Sequence, residues 1–294
     1  MTTTMNQQLA FLGLGVMGGP MSANLARAGY PIKGWNRTPD RPGVRAALEA
    51  GVEIVSSIQE AVATADVIFS CVGDVPDVEE VLCGPGSVAE WARPGTLVVD
   101  MSTIGPNAAQ AIAQTLSTKS LRFLDAPVSG GDVGAQNGTL TIMVGGSEAD
   151  FQDGLPFFEV MGKSIHLCGP VGSGQAVKLC NQVLCSANLI GLCEAIKLAQ
   201  TQKIDPNLIV EVCRGGAAGS WALSNLGPKI NQSDFAPGFA IKHILKDLRL
   251  VLEMIEAEDF PGTELANQHF KSVEKLDNGG ELGTQAMMKI YHPS

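Results

Sequence analysis

The stretch "LAFLGLGVMGGPM", residues 9 to 21, constrains this chain more than any other. An apolar run ends in Gly13, Gly15 and Gly18 at G-x-G-x-x-G spacing and passes straight into an Ala-rich segment, so it reads as strand, tight turn and helix. In such a turn the first glycine permits the reversal, the second permits close approach to the backbone, and the third lets helix and strand pack closely. Short β-type runs then alternate with helical stretches to residue 168: "PIKGWN", "VEIV", "DVIFSCV", "GTLVVDMS", "LRFLDAPVS", "TLTIMVGG" and "KSIHLC". Strands alternating with helices predict βαβ units and a parallel sheet covered on both faces.

After "CGPVGSGQ" the character changes, and long helical patterns follow over 174–202, 206–214, 220–232 and 240–258. The expected fold class is therefore α/β: a Rossmann-type N-terminal domain over residues 1–170, and a second, all-α C-terminal domain over 171–294, joined by a long interdomain helix. A dinucleotide suits the glycine turn, with its pyrophosphate on free amides at the positive end of the helix. Gly13, Leu14, Gly15, Val16, Met17 and Gly18 are the candidate cofactor-binding turn, while the side chains of Met17, Met21 and Leu25 are assigned to core packing.

The second strand ends in "NRTPD", where a dinucleotide fold usually has an acid that grips a ribose diol. Asn36, Arg37 and Thr38 remove that acid and add a guanidinium suited to a 2′-phosphate, which points to NADP(H). The other reading keeps Arg37 as a solvated surface residue and lets Asp40 bind NAD. Beyond the later strands, Val72, Thr103 and the turn Ser129-Gly130-Gly131 are the positions expected nearest a nicotinamide and its substrate. The Ser-Gly-Gly amides form either an anion-binding nest for a carboxylate or a plain glycine-rich connection.

"GSGQAVKLCNQVL" places Lys178 and Asn181 three residues apart on one helix face, with Gln182 four residues on from Lys178. A lysine there either moves a proton to and from a carbonyl oxygen or snorkels from the helix start.

A formal charge of -10 and no Lys/Arg cluster argue against nucleic acid as a partner. The run "VLCSANLIGLCEAIKLA" carries Glu194 and Lys197 and predicts a buried helix rather than a membrane span. The N-terminus lacks a basic stretch before its apolar run, so a cytoplasmic location is expected. Seven cysteines without a C-x-x-C pair, and four scattered histidines, predict reduced thiols and no metal site.

"GLGVMGGPMSANLARAGY", "NRTPD", "DAPVSGG", "GTLTIMVGG", "GSGQAVKLCNQ" and "KDLRL" stand in the order and spacing of the β-hydroxyacid dehydrogenases, which this chain resembles over nearly its whole length. The resemblance implies that Lys178 is the general acid/base and that Asn181 assists at the reacting end. It implies that Ser129, Gly130 and Gly131 hold the substrate carboxylate, that Thr103 lies beside the nicotinamide ribose, and that Lys246 reaches the cofactor. Phe239 and Trp221 are candidates for pocket walls. "KL-x-NQ" and "RGGAAGS" are similar to tartronate semialdehyde reductases, and "NRT" to NADPH-using glyoxylate and succinic semialdehyde reductases. The resulting expectation is a homodimeric or homotetrameric NADP(H)-dependent reductase of a small carboxylate-bearing aldehyde. Its rivals are an NAD-using 3-hydroxyisobutyrate dehydrogenase and a non-catalytic NADP-binding regulatory protein.

Overall fold

Apolar residues fill the short strands of the N-terminal half, and their period-two alternation feeds two separate cores. In β1 (Leu9–Leu12), Leu9 and Phe11 enter one core while Ala10 and Leu12 enter the other. The computed structural model describes residues 7–256 and 259–291. It contains two units, one running through Lys178 and one beginning at Leu179.

In the first unit the further strands are β2 (Ile32–Trp35), β3 (Glu53–Ile54), β4 (Val67–Ser70), β5 (Leu97–Asp100), β6 (Arg122–Asp125), β7 (Val128–Ser129), β8 (Leu140–Gly145) and β9 (Gly162–Gly169). Among the described residues they form one sheet ordered β3-β2-β1-β4-β5-β6-β8-β7, with β9 also paired to β8. Pairing is parallel from β3 across to β6, as the strand–helix alternation requires. The run "LRFLDAPVS", expected as one strand, divides into β6 and β7. Pro127 lies in the break, where its missing N–H cannot extend a ladder, and β8 returns antiparallel to both strands.

One face of the sheet is covered by helices Gly18–Arg27, Pro42–Glu49 and Glu148–Met161, which supply Met21, Leu25, Val44, Phe157 and Phe158. Phe69 stacks on Phe11 and meets Phe157 edge-on, each at 5.8 Å between centroids. Each such buried ring contributes about 1.5–3 kcal/mol relative to exposure. The opposite face takes helices Val75–Cys83 and Pro106–Ser117 through Val78, Leu82, Ile112 and Leu116. Since β1 lies between β2 and β4, the chain diverges there, and the crevice beyond the carboxyl ends of β1 and β4 is the place where such sheets bind ligands.

The helix Ser173–Thr201 runs from the first unit into the second. The expected boundary at 170/171 lies at the head of this helix, whereas the units divide inside it at Lys178/Leu179. By length and apolar composition it would pass for a membrane span. Within the second unit, however, Leu189, Leu192, Cys193 and Ile196 of this helix pack against Ile241, Ile244, Leu248, Phe270 and Met287.

The other helices of that unit are Pro206–Cys213, Trp221–Asn225, Gly227–Asn231, Ile241–Leu252 and Pro261–Glu274, followed by 3₁₀ segments Gly279–Glu281 and Thr284–Tyr291. The single helix expected over 220–232 is two, because Pro228 has no N–H for the preceding turn and instead starts a new helix. The helix expected over 240–258 ends at Leu252; residues 257 and 258 lie outside the described residues. Helix Pro261–Glu274, with proline in its first turn, was not among the helices expected from the sequence.

Candidate active site

The glycine turn has the shape a pyrophosphate needs. Gly13 has φ +95°, and a Cβ there would press on the Cys71 carbonyl and the Val72 side chain. A Cβ on Gly18 would collide with the Gly13 carbonyl and the Phe11 ring, while one on Gly15 would meet no atom within 4 Å. The turn is thus closed behind and open in front. Helix Gly18–Arg27 has no side-chain cap at its N-terminus, so the helix end is suited to an anion. Val16 is exposed, and Met17 packs partly against the core as expected. Leu14 is fully buried and its amide donates to Asn36 Oδ1 at 2.8 Å, so both shape the turn from behind.

Asn36 also donates from Nδ2 to the Thr38 carbonyl at 2.6 Å, which folds "NRT" back on itself. Arg37 projects from that bend. Its Nη1 lies 3.0 Å from Asp77 Oδ1 and 3.5 Å from Glu80 Oε2, both on helix Val75–Cys83, and its side chain remains 67% exposed. Exposed pairs of this kind are worth at most about 1 kcal/mol, so the guanidinium is held loosely.

The loops after β4 and β5 are tied together. Asp100 Oδ1 accepts the hydroxyls of Ser70 and Ser102, both at 2.7 Å, and Ser102 Oγ in turn accepts the Val72 amide at 2.9 Å. Val72 and Thr103 therefore sit on a hydrogen-bonded frame rooted in a buried carboxylate. Beyond β7, Gly130 and Gly131 have φ +135° and +66°, values that only glycine adopts easily, and they turn the chain directly after Ser129.

Two buried side chains that the sequence reading passed over seat the head of helix Ser173–Thr201. Asp125, at the end of β6, accepts the backbone N–H of Gly172 at 2.7 Å and of Gln175 at 2.9 Å. Burial raises its pKa to about 6, against the lowering effect of those N–H donors and with a smaller raising effect from Asp100. Gln175 Oε1 accepts the amides of Ile104 and Gly105 at 2.9 and 3.1 Å, and its Nε2 donates to the Ser102 carbonyl at 2.9 Å. A Cβ on Gly174 would strike the Met143 carbonyl and the Asp125 carboxylate, so glycine is needed for this close seating. Lys178 follows one turn after Gln175 and is only 6% exposed, a burial that a snorkelling lysine would not show. Asp125 in "DAPVSGG" and Gln175 in "GSGQ" could have been found as polar residues at positions the apolar pattern assigns to the interior.

The second unit holds a further polar cluster. Asn181 Nδ2 donates to Gln182 Oε1 at 2.8 Å, and Gln182 Nε2 donates to Asp247 Oδ2 at 2.6 Å. Lys246 Nζ lies 2.8 Å from Asp247 Oδ1, off the hydrogen-bonding direction, as a charge contact. Phe239 packs against the helical core and stacks on His243 at 6.1 Å. Trp221 begins a helix capped by Ser220 and is 63% exposed.

A glycine turn open at Gly15 where the sheet diverges, beside hydrogen-bonded loops after β4 and β5, defines the class: a dinucleotide-dependent oxidoreductase of Rossmann type. Residues 8–169 match the family described as the NAD binding domain of 6-phosphogluconate dehydrogenase, and residues 172–291 match the NAD-binding domain of NADP-dependent 3-hydroxyisobutyrate dehydrogenase. An uncharacterised oxidoreductase of Synechocystis sp. is 54% identical over 97% of this chain and 98% of its own. The 2-hydroxy-3-oxopropionate reductase of Escherichia coli is 37% identical over 96% of each chain. The structure of Mycobacterium tuberculosis 3-hydroxyisobutyrate dehydrogenase with L-serine superimposes with TM-score 0.86 at 32% identity, over 98% of this chain and 100% of that one. The chain belongs to the β-hydroxyacid dehydrogenase family and is a nicotinamide-dependent hydroxyacid dehydrogenase.

The seating of the helix head has a pH signature. Asp125 ionises near 3.8 when exposed and near 6 in the fold, so the unfolded chain releases its proton first. The stability this group contributes is present below about pH 4 and is lost as the pH rises through about 6. In Asp125→Asn, one of the two N–H donors faces an amide NH₂, at a cost of about 1–3 kcal/mol. Urea unfolding of both proteins from pH 4 to 7 is expected to show the wild-type advantage shrinking through that window and then levelling. A constant difference would refute the assignment.

Proposed function

We propose that this protein is an NADP-dependent reductase of a short carboxylate-bearing aldehyde, with succinic semialdehyde, glyoxylate and tartronate semialdehyde as the substrate class. The observation that carries the reading is the buried Lys178 on a helix head stapled by Gln175 to the loop that bears Thr103 and by Asp125 to the end of β6, the strand that leads to Ser129. The nicotinamide, when bound, supplies the hydride. In the proposed reaction the Ser129-Gly130-Gly131 turn holds the substrate carboxylate and fixes which carbonyl face is presented. The Lys178 ammonium gives its proton to the carbonyl oxygen as the carbon is reduced, and the neutral amine takes it back in the oxidative direction. Asn181, one turn on, assists at the same reacting end. Holding substrate and proton donor on one hydrogen-bonded frame removes much of the entropy cost of their encounter.

Support for the substrate class comes from the E. coli relative's name, 2-hydroxy-3-oxopropionate reductase, and from the sequence features "KL-x-NQ" and "RGGAAGS". Support for NADP comes from the absence of an acid at Asn36 and the presence of Arg37 and Thr38. One observation favours the rival reading of an NAD-using 3-hydroxyisobutyrate dehydrogenase: Arg37 is met by two carboxylates, Asp77 and Glu80, that oppose an incoming phosphate.

Along helix Ser173–Thr201, Val177, Leu184 and Leu198 are exposed at 42%, 64% and 62%, at multiples of seven residues and so on one stripe. We infer from this stripe that the protein works as a homo-oligomer.

Three measurements test these readings. Lys178→Ala should lower kcat by about a hundredfold or more, the usual scale of a lost general acid, with cofactor affinity unchanged by fluorescence titration. Wild-type turnover in that variant would overturn the mechanism. Arg37→Ala should raise KM for NADPH by roughly tenfold or more and leave KM for NADH unmoved, the effect of losing a charge-assisted contact. A wild-type preference for NADH would instead favour the 3-hydroxyisobutyrate dehydrogenase. Leu184→Lys should reduce the assembly seen by sedimentation velocity, and a wild-type monomer would remove the oligomer reading.

A further inference from the structure

The proposed role of Asn181 depends on which end of its amide faces the reacting group, and the second unit contains a device that decides this. Asp247 stands on the buried face of helix Ile241–Leu252 among Ile244, Leu248 and Val251, with 2% of its surface exposed. Beside the Lys246 ammonium at 2.8 Å, its carboxylate offers acceptors only. Whatever meets Oδ2 at 2.6 Å must donate, so Gln182 has to turn its NH₂ toward Asp247. That places Gln182 Oε1 at the other end, where it can only accept. Asn181, 2.8 Å from that oxygen, must then present its own NH₂. The Asn181 Oδ1 is then the end of that amide not committed to the relay.

We propose that Asp247, acting through Gln182, is a positioning residue that locks the Asn181 amide with its oxygen as the working atom. Asn181 is thereby an acceptor, suited to a substrate hydroxyl or to the ammonium of the proton-carrying lysine, and unsuited to donating to a carbonyl. An isolated asparagine amide flips at small energetic difference, because its two ends have nearly the same shape. Two relayed hydrogen bonds inside the protein remove that freedom. The buried carboxylate sets the direction of the relay because, paired with an ammonium, it has no donor to offer. Gln182 is itself only 2% exposed, so water does not compete for either of its ends.

The inference rests on the reading that Asn181 serves the reacting end, and two separable experiments test it. The first is kinetic. Gln182→Met keeps the side-chain length and suits a buried site, but breaks both hydrogen bonds while leaving the Lys246–Asp247 pair intact. Its kcat should fall roughly tenfold, the rate equivalent of about one hydrogen bond, with KM for the cofactor unchanged. Adding Asp247→Asn to Gln182→Met should cost no further kcat, since the relay is already cut. Wild-type kcat in Gln182→Met, or independent losses that multiply in the double variant, would overturn the proposal.

The second experiment needs no turnover. In protein labelled with ¹⁵N on side-chain amides, Asp247→Asn should shift the Asn181 NH₂ resonances in the presence of Gln182 and leave them unmoved in the Gln182→Met background. Resonances of Asn181 that ignore Asp247→Asn with Gln182 present would sink the relay. A wild-type protein that reduces no semialdehyde would count against the proposed function alone.

Discussion

The seating of one helix end on two strand ends is the constraint from which the arrangement of the candidate site in the first unit follows. Asp125 and Gln175 together satisfy four backbone N–H groups, those of Gly172, Gln175, Ile104 and Gly105. Each would cost about 1–3 kcal/mol if left buried without a partner. Desolvating Asp125 is also costly, as its raised pKa shows, and the N–H donors offset only part of that cost. The molecule retains an expensive carboxylate because no apolar side chain could receive two N–H groups at a helix start. The geometric result is that Lys178, one turn along, cannot slide or rotate without breaking bonds to the loops that carry Thr103 and to the strand that leads to Ser129.

The glycine turn obeys the same logic of backbone proximity. Gly13 is forced by Cys71 and Val72 and Gly18 by Gly13 and Phe11, while a Cβ on Gly19 would strike the Gly43 backbone and one on Gly43 would strike the Leu14 and Gly15 carbonyls of the turn. Of the three motif glycines, Gly15 alone would place a Cβ in open space. Most of the glycine motif is thus a packing requirement, and a single position is left for what comes to bind. Asn36 adds a second function to the end of β2 by accepting the Leu14 amide, which ties the turn to the neighbouring strand.

How much of this was legible in the sequence depended on whether the signal was local. Strand–turn–helix periodicity is local, and the sheet, the long helix and the two-part organisation all follow from it. The division of "LRFLDAPVS" at Pro127 and of residues 220–232 at Pro228 was also written locally, yet the apolar pattern runs straight through both prolines and hid the breaks. Asp125, Gln175 and Asp247 were hidden for a different reason. Their partners lie 47, 71 and 65 residues away, and in sequence an acid beside an apolar run looks the same whether it is solvated or buried. Lys178 and Asn181 were legible as neighbours on one helix face because spacing alone puts them there, while the role given to the lysine came from the family resemblance.

Arg37 is the case where the local signal and its surroundings pull in opposite directions, and magnitudes decide between them. A guanidinium next to a 2′-phosphate forms charge-assisted hydrogen bonds worth about 1.5–3 kcal/mol each. The existing contacts to Asp77 and Glu80 are exposed and worth at most about 1 kcal/mol. Under the proposed NADP reading the phosphate therefore wins the arginine, but it does so beside two carboxylates that remain where they were. Asp77 is not free to withdraw, because its other oxygen caps helix Val75–Cys83 by accepting the Asp74 amide at 3.1 Å. The end of β2 thus carries Asn36 where dinucleotide folds usually have an acid, and the carboxylates that meet its arginine stand on a neighbouring helix. Discrimination between the two cofactors then rests on one loosely held cation and on the screening of two anions, which makes it a small difference between opposed electrostatic effects.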